Sequence, residues 1–189
     1  MSGAASLGAL PPAGWACSEK GETKNGEPQC KDGEDNAPFK HSQSLEAGDV
    51  WMMKVVAGRY AIVGIAAEGY DVERHGATAQ RTAVVCLVNG TTLINSDISK
   101  DGENHVHHGL LKDHIPKTLS YDLALCINKD GNVPQIRFND DAVWHNFAPD
   151  RAAVKAGPWF PFLQLDEGDR LSDHCVHRPK PTKSAGKTN

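Results

Sequence analysis

Residues 120–165 read SYDLALCINKDGNVPQIRFNDDAVWHNFAPDRAAVKAGPWFPFLQL, and this stretch leaves few folds open. Tyr121, Leu123, Leu125 and Ile127 alternate with Asp122, Ala124, Cys126 and Asn128, the period of two that gives a strand one buried face. Lys129, Asp130, Gly131 and Asn132 follow, and Asp-Gly supplies the positive φ of a tight turn. Residues 133–138 return with Ile136 and Phe138 on one face and Gln135 and Arg137 on the other, so the first half is a β-hairpin. Residues 157–163, GPWFPFL, are too apolar for a water-facing strand and read as one buried between two layers.

The same signals recur upstream. Residues 50–56 (VWMMKVV) form a strand, 57–59 a turn, and 60–66 (YAIVGIA) a second strand expected to pair antiparallel with the first. Gly64 inside it marks a close neighbour or a bulge. Residues 81–88 give a third strand, Asn89-Gly90 a hairpin turn, and 91–94 the return. Residues 15–49 hold Trp15, Phe39 and Leu45 among polar neighbours, and read as irregular structure with one or two short strands, pinned to the body by Trp15. Residues 68–80 are a polar loop, and 96–117 a long His-rich one. Residues 149–156 form a two-turn helix, with Pro149 in its first turn and Gly157 past its end. A last strand covers 171–176. Strand, turn, strand with scarcely any helical period defines an all-β chain: an antiparallel two-sheet β-sandwich or jelly roll with at most one or two short helices.

At 189 residues the chain suits one domain. Residues 1–14 are a flexible lead-in, 15–177 the sandwich, and 178–189 a disordered basic tail carrying Arg178, Lys180, Lys183 and Lys187 without an acid. The formal net charge is −4 even with that tail, so the body is acidic, which argues against nucleic-acid affinity. Five cysteines without C-x-x-C spacing make neither a disulfide framework nor a zinc site. Cys86 and Cys126 read as buried thiols, and Cys17 with Cys30 is the pair an oxidising compartment would join. No basic, apolar leader and no apolar run of membrane-spanning length occurs, so the expectation is a cytoplasmic protein with no membrane partner.

Four segments in order resemble the SPRY/B30.2 family of concanavalin-like sandwiches: 51–66 (WMMKVVAGRYAIVGIA), 82–95 (TAVVCLVNGTTLIN), 122–139 (DLALCINKDGNVPQIRFN) and 157–165 (GPWFPFLQL). The match runs over 50–176, with three departures. Met53 or Lys54 stands near the place of the family's acidic residue, Asp140 stands where the family has a glycine, and the 96–117 loop is long. The resemblance implies a twisted sandwich that is not an enzyme and whose end loops bind proteins, often as a recruiting adaptor.

On that reading the partner is a protein or peptide, held by Tyr70 and Arg74 in one loop and Asp140, Asp141, Trp144 and His145 in another. The bland alternative buries Trp144 under its loop and sends Phe147 to the core. His105, Val106, His107 and His108, with Asp113 and His114 behind, form the other cluster. On a strand His105 and His107 share a face, as metal ligands must, and Asp113 with His145, His174 or His177 would complete a set. The segment lacks strand character, so it reads as a solvated loop; no cofactor and no tight metal is expected, with His105, His107 and His114 the metal candidates. No nucleophile elbow, phosphate loop, HExxH or EF-hand loop occurs. The alternatives left are a lectin-like sandwich with Asn139, Asp140 and Asp141 as a calcium cluster, a metal-dependent jelly-roll enzyme on His105 and His107, and a structural subunit of a larger assembly. The oligomeric state stays open.

Overall fold

The computed structural model describes residues 14–56, 60–75 and 80–179. Apolar–polar alternation there becomes fourteen strands and no helix. In chain order they are β1 (Trp15–Cys17), β2 (Gly21–Lys24), β3 (Glu27–Cys30), β4 (Ala37–His41), β5 (Val50–Val56), β6 (Ile62–Ala67) and β7 (Thr82–Cys86), followed by β8 (Thr92–Ile94), β9 (His105–His107), β10 (Ser120–Ile127), β11 (Pro134–Phe138), β12 (His145–Asn146), β13 (Trp159–Leu165) and β14 (Arg170–His177). Two seven-stranded antiparallel sheets result. Sheet A runs β1-β4-β13-β6-β7-β8-β9 and sheet B runs β12-β11-β10-β5-β14-β3-β2. No helix among the described residues is long and apolar enough to cross a membrane.

The hairpin expected from the 120–138 pattern is β10–β11, with Leu125 opposite Ile136 and Leu123 opposite Phe138. Asn132 at φ 58° and Gly131 at φ 101° carry the left-handed turn. On the other side of β10, Leu125 faces Trp51 of β5. Trp51, Leu125 and Ile136 therefore form one row, each fully buried, against Phe39, Val63, Ile65, Val85 and Leu163 from sheet A. Each such side chain contributes about 1.5–3 kcal/mol. A one-residue slip of β10 would turn its whole apolar set to water, which is why the register is well specified.

Several expectations fail for one reason: a local pattern defines a strand but not its neighbour. β5 and β6 do not pair. β5 lies between β10 and β14 in sheet B, and β6 between β13 and β7 in sheet A. β5 alternates buried with more exposed residues along its length and β10 does so only over its first four residues, whereas β6, β7 and β13 are buried on both faces. Strands thus sort by how many faces they bury. The expected turn at 57–59 lies outside the described residues, as do 1–13 of the lead-in and 180–189 of the tail.

Residues 15–49 supply four strands, not one or two. The His-rich segment contributes β9, which adds to β8 through Val106 opposite Leu93. No helix forms at 149–156. Val154 bridges Ser99, Lys100 N–H donates to Ala153 O at 2.9 Å, and Lys155 N–H donates to Ile98 O at 2.8 Å. These tertiary partners satisfy the backbone groups a helix would have used. Arg178, placed in the tail by sequence, is tied to the body. Its guanidinium donates to both oxygens of buried Asp49, the shortest contact being 2.8 Å. Burial opposes ionisation of Asp49, but Arg178 and the Glu46 N–H outweigh it and hold the carboxyl below its usual range.

All five cysteines are free, and Cys86 and Cys126 are buried as expected, with burial pushing the Cys126 thiol up to about 11. Gly64 sits between Phe162 and Val84 in the sheet register, and a Cβ there would run into the backbone of Ala83 and Val84. The close neighbour is main chain.

Candidate functional site

The two outer faces of the sandwich differ in kind. On sheet A, Ile62, Ala66, Val84, Cys86 and Phe162 point away from the main core and form a second apolar cluster under Tyr70. The chain after β6 folds back over that sheet to make the lid. Tyr70 is 4% exposed, meets Phe162 edge-on at 5.1 Å, and donates its hydroxyl to His75 O at 3.2 Å. Asp71 N–H donates to His75 Nδ1 at 2.9 Å, and Arg74 stays in water with one ion pair to Asp71 at 3.6 Å. Beside this lid is a hollow of about 530 Å³ lined by Ala16, Lys40, Tyr70, Asp71, Val72 and Phe160 among others. Its one cation is already engaged. Lys40 Nζ donates to Glu68 O at 2.9 Å and Tyr70 O at 3.1 Å, and lies 4.5 Å from the centre of the Phe160 ring.

On sheet B the outward residues of β5, β10, β11 and β14 line an open groove of about 380 Å³. Its floor carries Met52, Lys54, Asp122, Ala124 and Arg137, and its ends carry Asn139, Asp140 and Asp173. The pleat explains this composition, because these are the outward partners in the alternation that buries Trp51, Met53, Leu123 and Phe138. The register of β14 against β5 shifts between Ser172 and Cys175, which leaves Asp173 unpaired with β5 at the groove's edge.

Arg137 is the most telling residue of the groove. Its guanidinium stacks at 5.0 Å on the ring of half-buried Trp144. Its Nε is buried with no hydrogen-bond partner, and among the described residues no carboxylate forms an ion pair with it. Asp140 lies at the groove, exposed. Asp141 shapes the loop, where its side chain accepts from Val143 N–H at 3.2 Å. His145 stacks on His114 with ring centres 4.0 Å apart, and burial, then His114, push its pKa down, so it is neutral at pH 7.

The six residues singled out from sequence thus divide. Asp140, Asp141, Trp144 and His145 cluster at the β11–β12 edge of sheet B. Tyr70 and Arg74 belong to the lid on the outside of sheet A, and among the described residues no hydrogen bond, ion pair or ring contact joins the two groups. Arg137, Lys54 and Asp122 were passed over in sequence as ordinary outward strand residues. Lys54 and Asp122 stand opposite one another on β5 and β10, and Arg137 lies in the neighbouring row opposite Ala124, a juxtaposition that only the sheet pairing reveals. Phe147 is fully buried, as the bland alternative for this segment has it. Of the metal candidates, His114 goes to His145, while His105 and His107 stay together on β9.

A third cluster closes the opposite edge. Trp15 donates its indole N–H to His174 Nε2 at 3.2 Å, and Trp15, His41 and His174 pack mutually edge-on with ring centres 4.9–5.3 Å apart. Burial, then the proximity of His174, pushes the His41 pKa down to about 4.

No protein-family model matches the chain, and no curated protein matches its sequence. Solved structures match over most of it. The SPRY domain of human HERC1 superposes with a TM-score of 0.58 at 11% identity, covering 87% of this chain and 96% of that domain. The carbohydrate binding module CBM66 from Bacillus subtilis gives 0.53 at 11% identity, with 87% and 96% covered. The exoplasmic/lumenal domain of VIP36 in its Ca2+/Man-bound form gives 0.52 at 7% identity, with 90% and 85% covered. The chain has the SPRY-type β-sandwich fold, an architecture shared with carbohydrate-binding sandwiches.

Proposed function

We propose that the chain is a non-enzymatic binding module whose ligand is a polar, extended peptide segment of a partner protein, laid in the groove on sheet B. The observation that carries the reading is Arg137. It is held flat by Trp144 with an unpartnered buried Nε, beside an open groove carrying both charge signs. A preorganised guanidinium recognises a peptide carbonyl or carboxylate with little further entropy loss. Trp144 adds apolar area, while the carboxylates of Asp122, Asp140 and Asp173 and the ammonium of Lys54 select the ligand's charges. The lid on sheet A supports the fold in this scheme, so binding centres on Asp140, Trp144 and the newly found Arg137.

The test is selection of binders from a random-peptide library by the purified chain, followed by affinity measurement on Trp144→Ala and Arg137→Ala. Each substitution is expected to cost about 2 kcal/mol of binding, as hot-spot residues do, with unchanged melting temperature. Full binding by both variants would remove the groove from consideration.

A carbohydrate ligand is the second reading. It is favoured by the half-buried ring of Trp144 against Arg137, at a groove that also carries Asn139 and Asp140, together with the likeness to CBM66 and VIP36. Capture on a glycan array, lost in the same two variants, would establish it in place of the peptide.

A further inference from the structure

We propose that His105, His107 and Asp150 form a three-ligand site for a borderline divalent transition metal of the Zn2+ class, with a fourth position open. One ligand atom from each of these residues lies within 4.8 Å of the other two. The strand made of His105, Val106 and His107 is what brings the imidazoles together, since residues two apart on a strand share a face. Their rings stack 6.5 Å apart at 30°. Asp150 arrives from the connection between β12 and β13, which Val154 and its neighbours fasten to residues 98–100.

The surroundings are built as a metal-binding histidine requires. His105 has its two ring nitrogens differently engaged. Nε2 stands 3.0 Å from Asp101 Oδ2, while Nδ1 faces Asp150 Oδ2 at 4.0 Å. Asp101 is itself fixed, accepting from Ser99 Oγ at 2.6 Å and from Glu103 N–H at 2.9 Å. A carboxylate on one imidazole nitrogen sets the tautomer and leaves the other nitrogen's lone pair for an ion. The side chain of His105 is only 13% exposed, and His107 Nε2 is buried with no hydrogen-bond partner. Two ligands bound about 2 Å from a tetrahedral ion stand roughly 3.3 Å apart. A small shift of the Asp150 carboxylate, which is 64% exposed, closes the gap. Two imidazoles with a single carboxylate favour Zn2+ and its neighbours over Ca2+ or Mg2+, which take all-oxygen sets. His108 and His114 are outside the cluster. The ion would pin β9, the edge of sheet A, to the connection arriving from sheet B.

The test uses tag-free full-length chain, stripped with chelator and titrated calorimetrically with ZnCl2. One equivalent is expected to bind, and at a hundredfold excess over Kd the melting temperature is expected to rise by about 5–10 °C. Binding should be lost in His105→Ala, His107→Ala and Asp150→Ala and weakened about tenfold in Asp101→Asn. It should be unchanged in His108→Ala and His114→Ala. Circular dichroism checks each fold, and His107→Gln replaces any alanine variant that unfolds. Co2+ in place of Zn2+ should give the intense visible bands of a four-coordinate site. No uptake by the unmodified chain, uptake that persists in the double variant His105→Ala/His107→Ala, or uptake lost with His114 would each overturn the assignment.

Discussion

The outer face of sheet A and the outer face of sheet B start from the same secondary structure and end with opposite uses. Both belong to seven-stranded antiparallel sheets covering the same core. On sheet A the outward residues of the central strands are Ile62, Ala66, Val84 and Phe162, so the face has to be covered, and the chain following β6 covers it with Tyr70. On sheet B the outward residues include Lys54, Asp122 and Arg137, and no segment of the described chain folds over them, so the face stays open as a groove. A sandwich therefore allots binding capacity by the second half of each strand's alternation, the half that core packing does not use. The covered face contributes stability, and the open one is left accessible, as the proposed peptide groove requires.

The sharpest way to break this contrast is to truncate one outward residue on each face. Phe162→Ala removes the centre of the second apolar cluster and is expected to cost about 3–5 kcal/mol, read as a lowered midpoint in urea unfolding. A smaller loss is expected for Gly64→Ala, because the added methyl meets the main chain of Ala83 and Val84 and the sheet must spread. About 1–3 kcal/mol is expected by the same assay. If either change proved neutral, the idea of a second core beneath the lid would fail.

The pH dependence of folding extends the comparison to the edge where β1 and β14 meet. His41 is neutral when folded, with its pKa pushed down to about 4, against an ordinary value of 6.5. Protons therefore bind the unfolded chain first. The stability this group contributes is complete above about pH 6.5 and is lost as pH falls toward 4. Thermal melts between pH 7 and pH 4 should show that decline, and His41→Phe should make it shallower, the remainder coming from His174 and His145, whose pKa values burial also pushes down. At the small end, Met52→Ala on the open face should change stability by no more than about 0.5 kcal/mol, since Met52 is 40% exposed and outside the core.

Much of the fold was legible in the residues. The β10–β11 hairpin with its Asp-Gly turn, the apolar β13, the β7–β8 hairpin at Asn89-Gly90 and the strand at 50–56 all appear where periodicity and turn chemistry put them. The site was legible only in part. Asp140, Asp141, Trp144 and His145 were found as a local cluster, but Tyr70 and Arg74 were joined to them on the assumption that loops of one sandwich meet at one end. Arg137 was missed because a lone arginine on a strand reads as a solvated outward residue. Nothing nearby in sequence says that a tryptophan seven residues later will stack on it. His105 and His107 were set aside because a three-residue strand with polar ends has too little period to detect. β9 exists because β8 offers it an edge.

Alternation and turn residues determined by themselves that this chain makes antiparallel β-structure and which face of strands such as β5 and β11 turns to the core, because a strand's faces follow from a period of two within a few residues. Tertiary structure alone decided which strands became neighbours, which outer face was covered, and that Asp150 comes to His105 while His114 goes to His145. Those outcomes depend on matching surfaces distant in the chain. Such matches are selected by the total area and hydrogen bonding of the assembled sandwich, and no local window contains them.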